Sequence, residues 1–210
     1  RIWSKAKTTQ EIREGMCHKL TGSEADLLTY YPFDGQSIAD LGSAANNGSF
    51  TNVNSTDPRS GYRVSGAPVG DESAYLHTNN FANQSVTIGS LTSNFTVDSI
   101  TGFIDGVHVY RVDTLPHSDS GIYNLGNQSL YYGVFVSQVG VYNSLNYNAV
   151  YDYSGDANAV INENNINLYA RASGDLTPWV LSSAIQDQSN DVLVVNTPSG
   201  RGEYILADYS

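Results

Sequence analysis

The chain has 210 residues, of which 40% are hydrophobic and 15% charged, and its net charge is −11. That apolar content excludes a disordered chain, in which charged residues would be many and hydrophobic residues few. Residues 60–210 hold no lysine and 4 arginines against 14 acids, so we expect neither a nucleic acid nor an anionic membrane surface as a partner.

A helix between two short strands is predicted in the first part of the chain. Residues 1–7 and 27–33 carry apolar side chains in strand-like patterns. Thr8 and Glu11 have the spacing of a capping box, so the helix begins directly after Thr8. Three apolar side chains then share one helix face, namely those of Ile12, Met16 and Leu20.

Cys17 is the only cysteine, which excludes a disulfide within the chain and a cysteine-based zinc site. We expect its side chain to be packed against the rest of the protein. No apolar run reaches the length of a membrane-spanning helix, so membrane insertion is not expected. We expect no signal peptide before Arg1, and we expect a processed chain or a fragment of a longer protein.

Short strand candidates recur from residue 61 onward, with turn residues between them and no helical period. This pattern of short strands and turns favours an antiparallel β-sandwich or jelly roll. Residues 105–113 carry β-branched or aromatic side chains on both faces, and we expect this strand at the centre of the sandwich. The candidate strands are residues 62–65, 73–78, 85–89, 94–99, 106–112, 130–137, 146–152, 165–171, 178–182, 191–195 and 202–207.

Several sequence blocks in the first 53 residues occur in an order known from one protein family. They are residues 1–12, 20–24, 28–34, 39–41 and 46–50. These blocks resemble the C-terminal part of bacterial laminin-G-like (concanavalin A-like) jelly-roll domains. The resemblance implies that the first strand closes a jelly roll whose body is missing. Either the chain was cut from a longer protein, or this strand completes a sheet of another subunit.

The remainder resembles a β domain repeated in secreted surface proteins and adhesins of Bacteroidota. The blocks that carry this resemblance are residues 66–71, 105–113, 132–135 and 199–206. It implies a structural or adhesive module and supplies no catalytic residues. We therefore predict an all-β chain, an antiparallel β-sandwich or jelly roll with one short N-terminal helix. Its predicted parts are a laminin-G-like tail (1–54), a linker (55–60) and a sandwich (61–210).

Catalytic patterns are weak. A Ser-His-Asp triad could be assembled around His108, but no Gly-x-Ser-x-Gly elbow accompanies it. Paired carboxylates for glycoside cleavage carry no signal, because 14 acids in residues 60–210 make some pair inevitable. We therefore predict that the chain is not an enzyme.

Oxygen ligands suited to calcium occur at four positions. Asp187 and Asp191 bracket a turn with oxygen-bearing side chains, although the Gly and distal Glu of an EF-hand loop are missing. Asp34 and Asp40 lie in loops of the laminin-G-like tail, and the resemblance implies calcium there because that family often binds it. Solvated turn residues are the alternative. No cofactor is certain, and calcium is the candidate.

Exposed aromatic rings beside Asn and Asp are the features expected of a sugar-binding surface. Tyr147, Tyr151 and Trp179 could supply such rings. The alternative is that these side chains line a β core, with polar atoms at its rim.

We predict a non-enzymatic structural or adhesive module of a secreted bacterial cell-surface protein, with other protein subunits or surface glycans as partners. One alternative is a homo-oligomer or polymer, a subunit of an extracellular filament. Its assembly would use strand complementation through Arg1, Ile2 and Trp3, since an unpaired strand readily completes a neighbouring sheet. A carbohydrate-binding accessory module is the other alternative.

Overall fold

The computed structural model describes residues 1–33, 38–49, 51, 67–126, 128–137, 145–156, 163–172, 177–198 and 200–208. In chain order the elements are β1 (Ile2–Trp3), α1 (Thr9–Gly15), β2 (Leu27–Thr29), β3 (Glu72–His77), β4 (Val86–Gly89), β5 (Asn94–Thr101), β6 (Gly106–Val112), β7 (Tyr131–Ser137), β8 (Asn146–Asp152), β9 (Ile166–Arg171), β10 (Val180–Leu181), β11 (Ile185–Asp187), β12 (Val192–Val195) and β13 (Gly202–Asp208). A 3₁₀ turn, Glu163–Asn165, precedes β9.

Two antiparallel sheets form a sandwich, which confirms the predicted fold class. One sheet has six strands in the order β10-β9-β13-β7-β6-β3, and the other has five in the order β11-β12-β8-β5-β4. Each predicted strand candidate inside the described residues overlaps an observed strand, and residues 62–65 lie outside them. The strand that the sequence did not predict is β11, whose three residues are held by pairing with β12.

The main core lies between the sheets and follows the two-residue period of the strands. In β13, Tyr204 and Leu206 point into this core, whereas Ile205 and Ala207 lie in a second apolar cluster on the outer face. The main core includes Phe95, Val97, Val107, Val109, Tyr132, Val134, Leu168, Tyr204 and Leu206. Both faces of β13 are buried, so the outer face of the six-stranded sheet is itself covered.

The predicted central position of residues 105–113 is wrong. β6 lies between β7 and the edge strand β3, while β7 takes the inner position in the sheet. The apolar character of both faces has a different cause. The outer face of β6 is buried, with His108 1% and Tyr110 2% exposed, because other parts of the chain cover it.

One covering segment follows helix α1. The predicted capping box is confirmed, since the Thr8 hydroxyl accepts from the Glu11 amide and the Glu11 carboxylate accepts from the Thr8 amide. Beyond the helix, Cys17 is completely buried, and Gly70 donates its amide hydrogen to the Cys17 carbonyl over 2.9 Å. The helix was predicted too long. It ends at Gly15, so Met16 and Leu20 do not share a helix face with Ile12, and none of its residues is buried.

The N-terminal strand has a partner within its own chain. Ile2 lies opposite Thr29 and Trp3 opposite Leu27, so β1 and β2 form a two-stranded antiparallel sheet. Arg1 donates to the backbone carbonyls of Gly15, at the end of the helix, and His18, and its guanidinium lies 5.6 Å from the centre of the Tyr30 ring. The prediction that residues 1–7 lack a sheet of their own is therefore wrong, since a partner strand of suitable register follows the helix. The division into domains stays a prediction, because the linker at 55–60 lies outside the described residues.

Candidate functional site

The outer face of the six-stranded sheet carries a row of polar side chains in register. Strand pairing places five residues side by side from β3 to β9, namely Ser73, Tyr110, Gly133, Glu203 and Arg171. Two further rows follow along the strands, one with Tyr75, His108 and Phe135 and one with His77, Gly106 and Ser137. We call these three rows the polar face.

A glycine in β7 lets the first row connect across strands. A Cβ atom on Gly133 would lie 2.0 Å from Cζ of Tyr110, so the tyrosine ring occupies the place of a side chain on β7. The Tyr110 hydroxyl thereby reaches β13 and donates to Glu203 over 3.0 Å. Burial, and then the negative charge of Glu203, raise the pKa of Tyr110 well above its ordinary value. The phenol therefore stays protonated at physiological pH and acts as a hydrogen-bond donor.

Gly133→Ala is expected to destabilise the protein by about 1–3 kcal/mol, because the added methyl must displace the Tyr110 ring from its hydrogen bond. Thermal unfolding measures this cost. Gly15→Ala is the matched control, since its nearest neighbour would be 3.7 Å away and alanine favours a helix. Equal midpoints for Gly133→Ala and wild type would contradict the proposed crossing of Tyr110 over β7.

The row ends in a buried ion pair between neighbouring strands. Arg171 on β9 donates from Nε to the second carboxylate oxygen of Glu203, and both residues are 3% exposed. The guanidinium carbon lies 4.3 Å from the centre of the Trp179 ring, and Trp179 donates its indole hydrogen to the Ser118 carbonyl over 2.9 Å. These contacts hold the residues before β10, and the turn around Ser118, on the sheet.

Two histidines occupy the other end of the polar face. The Nε2 atoms of His77 and His108 are 2.9 Å apart, with the ring planes at 78°. The absence of a side chain on Gly106 permits this contact, because a Cβ there would lie 2.4 Å from the His77 ring. Nδ1 of His77 lies 3.2 Å from an Asp105 oxygen, at an ion-pair distance without good hydrogen-bond alignment.

The surroundings of this pair keep both rings neutral at pH 7. Burial, followed by the positive charge of Arg13, lowers the pKa of His77, while Asp105 partly opposes the shift. Burial, and then the charges of His77 and Arg13, lower the pKa of His108 to about 4. Cys17 is no nucleophile, because burial raises the pKa of its thiol to about 12. The polar face can therefore link segments to the sheet and take up protons below neutral pH.

Arg111 on β6 is held by two ion pairs. Its Nε donates to Asp113 over 2.6 Å and its Nη1 to Glu72 over 2.6 Å.

The three aromatic residues predicted for sugar binding are buried. Tyr147 and Trp179 are 1% exposed and Tyr151 is 0% exposed. The Tyr147 and Tyr204 hydroxyls hydrogen-bond to each other over 2.7 Å inside the protein. A sugar-binding surface needs exposed rings, so the prediction was wrong for these residues, and the alternative of a tyrosine-lined core applies.

The described carboxylates predicted for calcium belong to no group of three or more metal-ligating side chains. Asp40 accepts backbone hydrogen bonds from Tyr30 and Gly42 with one oxygen and from Asn46 with the other, and it fixes a loop. Asp187 accepts from the side chains of Ser189 and Asn190, and Asp191 adopts φ 55° beside this turn. Asp34 lies outside the described residues. Within the described ranges, no group of three or more His, Cys, Asp or Glu side chains is placed to hold a metal ion.

Sequence reasoning did not single out His77, Tyr110 or Glu203 as members of one cluster. Polar residues at alternate strand positions ordinarily indicate a solvent face. The signal that could have found them is glycine inside two strands, since Gly106 and Gly133 mark places where another group approaches the backbone.

No family model, no curated protein and no solved structure matches this chain. The resemblances drawn from the sequence therefore stay predictions. In the part of the chain that the structure describes, no helix combines the length and apolar character needed to span a membrane.

Proposed function

We propose that the chain is a non-enzymatic structural or adhesive module of a secreted bacterial cell-surface protein. We propose further that it binds a second copy of itself through the edge formed by β10 and β11. The surface location follows from the sequence resemblances. The exposure and the low charge of this edge support its choice.

Apolar side chains are exposed where both sheets end. Val180 and Leu181 of β10 are 60% and 53% exposed, and Ile185 of β11 is 61% exposed. Among the described strands, β10 pairs only with β9 and β11 only with β12. Exposed apolar residues on an edge strand favour pairing with another chain.

The same edge carries little of the charge that ordinarily blocks such pairing, since Asp187 at the end of β11 is the one charged residue of its two strands and its carboxylate already accepts hydrogen bonds from Ser189 and Asn190. Residues 177–186 contain no charged side chain, although the whole chain carries −11. Two copies that approach through most other surfaces would bring acids together. An edge with this little charge that meets its own copy largely avoids this repulsion, which supports a second copy as the partner.

The internal use of the reactive groups supports a non-enzymatic role. The buried acid Glu203 is bound by Tyr110 and Arg171, and His108 is bound by His77. These groups join elements of the fold to each other. In this proposal, function depends on contacts between domains, where many weak contacts add up when modules repeat along a chain.

Sedimentation velocity over a range of concentrations tests the edge. We expect wild type to self-associate and the double variant Leu181→Lys, Ile185→Lys to be monomeric, because charge and hydration oppose burial of that edge. Leu91→Lys is the matched control, since Leu91 is fully exposed on the turn between β4 and β5 and lies away from this edge. A wild type that stays monomeric throughout, or equal association of all three proteins, would refute the proposal.

A filament subunit is the second candidate, and the same edge supports it. A closed, two-fold contact gives a dimer, whereas a contact that joins the edge to another surface gives open-ended polymers. Electron micrographs of the associated material distinguish the two. Assembly through Arg1, Ile2 and Trp3 would require exchange of β1 away from β2, so deletion of residues 1–7 is expected to leave association through β10 and β11 intact.

A further inference from the structure

Helix α1 and the residues after it are held beside the edge strand β3 by backbone hydrogen bonds and side-chain contacts. Gly70, which precedes β3, donates its amide hydrogen to the Cys17 carbonyl over 2.9 Å, and its carbonyl accepts from the Lys19 amide over 2.7 Å. Arg13 lies 3.8 Å from Asp105, and the Tyr75 hydroxyl lies 3.5 Å from Glu14. Among the described strands, β3 pairs only with β6, so the covering segment lies beside an edge.

The histidine pair lies directly beneath the charged part of this contact. His77 belongs to β3, and its neighbours are His108 on β6 and Asp105 in the turn before β6. Arg13 and Glu14 are the charged groups that α1 brings to this region. Tyr75 stacks on the His108 ring with centroids 5.5 Å apart, and Phe135 of β7 closes the other side at 6.1 Å.

We infer that the His77–His108 pair is an acid-sensitive contact that holds residues 9–19 on the edge of the six-stranded sheet and releases them on acidification. A proton on either ring would place a positive charge in a buried site near Arg13. Release of the segment admits water to the rings and removes Arg13. It also uncovers the β3 edge and the Cys17 thiol.

The sign of the effect follows from proton linkage. In the docked state His108 has a pKa of about 4, whereas a hydrated histidine titrates near 6.5. The released state therefore binds more protons between these values. The stabilisation of docking is fully present above pH 6.5 and is lost as the pH falls toward 4. If His108 became fully hydrated, the docking equilibrium would shift at most roughly 300-fold.

Cys17 provides the readout, because it is the only cysteine and is a buried residue of this segment. Its reaction with 4,4′-dithiodipyridine is followed from pH 7.5 to 4.5 and divided by the rate for the urea-unfolded chain at each pH. We expect this ratio to rise at least 10-fold toward pH 4.5 in wild type. In His108→Phe, whose ring cannot be charged, the rise should be much smaller.

Two comparisons separate local release from other causes. His117→Gln is the matched control, since His117 is exposed and outside the pair, and its profile should equal wild type. Far-ultraviolet circular dichroism should stay constant over the same pH range. A flat wild-type ratio, an unchanged rise in His108→Phe, or loss of the dichroism signal in step with the rise would overturn the inference.

Proton NMR of the histidine rings provides a test that needs no substitution. We expect the resonances of His77 and His108 to titrate below about 6.5, the ordinary pKa of histidine. Resonances of the pair that titrate at or above this value would also overturn the inference.

Discussion

Glu203→Gln is expected to lower the free energy of unfolding by about 3–5 kcal/mol, because it removes the carboxylate from the buried guanidinium of Arg171. Neither residue is more than 3% exposed, so water cannot replace the lost charge. A small domain has about 5–15 kcal/mol of total stability, and this one substitution would remove much of it. The midpoint of thermal unfolding should fall by roughly 6–20 °C.

Three further variants separate the contributions to this loss of stability. Tyr110→Phe removes only the hydroxyl that donates to Glu203 and should cost about 1.5–3 kcal/mol. The double variant Arg171→Met, Glu203→Leu removes both charges and should recover most of the loss. Asp26→Asn breaks the exposed pair with Lys5, whose side chains are 56% and 39% exposed, and should change little. A shift below 2 °C for Glu203→Gln would show that the buried pair is not needed.

Trp179→Ala is expected to cost about 3–5 kcal/mol, since it empties the largest fully buried side-chain position. The ring packs edge-on to Tyr131 with centroids 6.0 Å apart and faces the Arg171 guanidinium. Its loss removes the cover from the ion pair as well as an apolar contact. Chemical denaturation measures the change.

Trp179→Phe separates a structural role from a sugar-binding role. It keeps an aromatic ring in the core, so it should cost less than alanine, and glycan-array signals should match wild type. Trp3→Ala is the control at the other tryptophan, which is only partly buried, and its cost should be smaller. A Trp179→Phe protein with wild-type stability but no glycan binding would restore the sugar-binding interpretation.

The strands were predictable because each sheet packs one face on the same apolar core. Apolar side chains therefore recur at every second position along a strand. The capping box at Thr8 and Glu11 is equally local, and it begins the helix as predicted. What could not be predicted is the cover on the outer face. Whether Tyr110 faces water or Glu203 depends on strand order, which places β13 next to β7 although about 65 residues separate them along the chain.

The candidate site escaped prediction for the same reason. His77 and His108 are 31 residues apart, and their contact depends on the β3–β6 register and on Gly106. Trp179 was predicted as one of the aromatic side chains that could supply an exposed ring for sugar binding. Its actual environment comes from Arg171 and Tyr131, which belong to two other strands.

The lysines of the chain are confined to one segment. Every lysine side chain lies in the first 19 residues, at positions 5, 7 and 19, and the amino terminus lies there too. Amine-reactive coupling to a bead or sensor will therefore attach the protein by its N-terminal segment and present the β10–β11 edge to the solution. A lysine-specific protease can cut only in this same segment. Cleavage after Lys19 then reports whether that segment has left the sheet, without any engineered label.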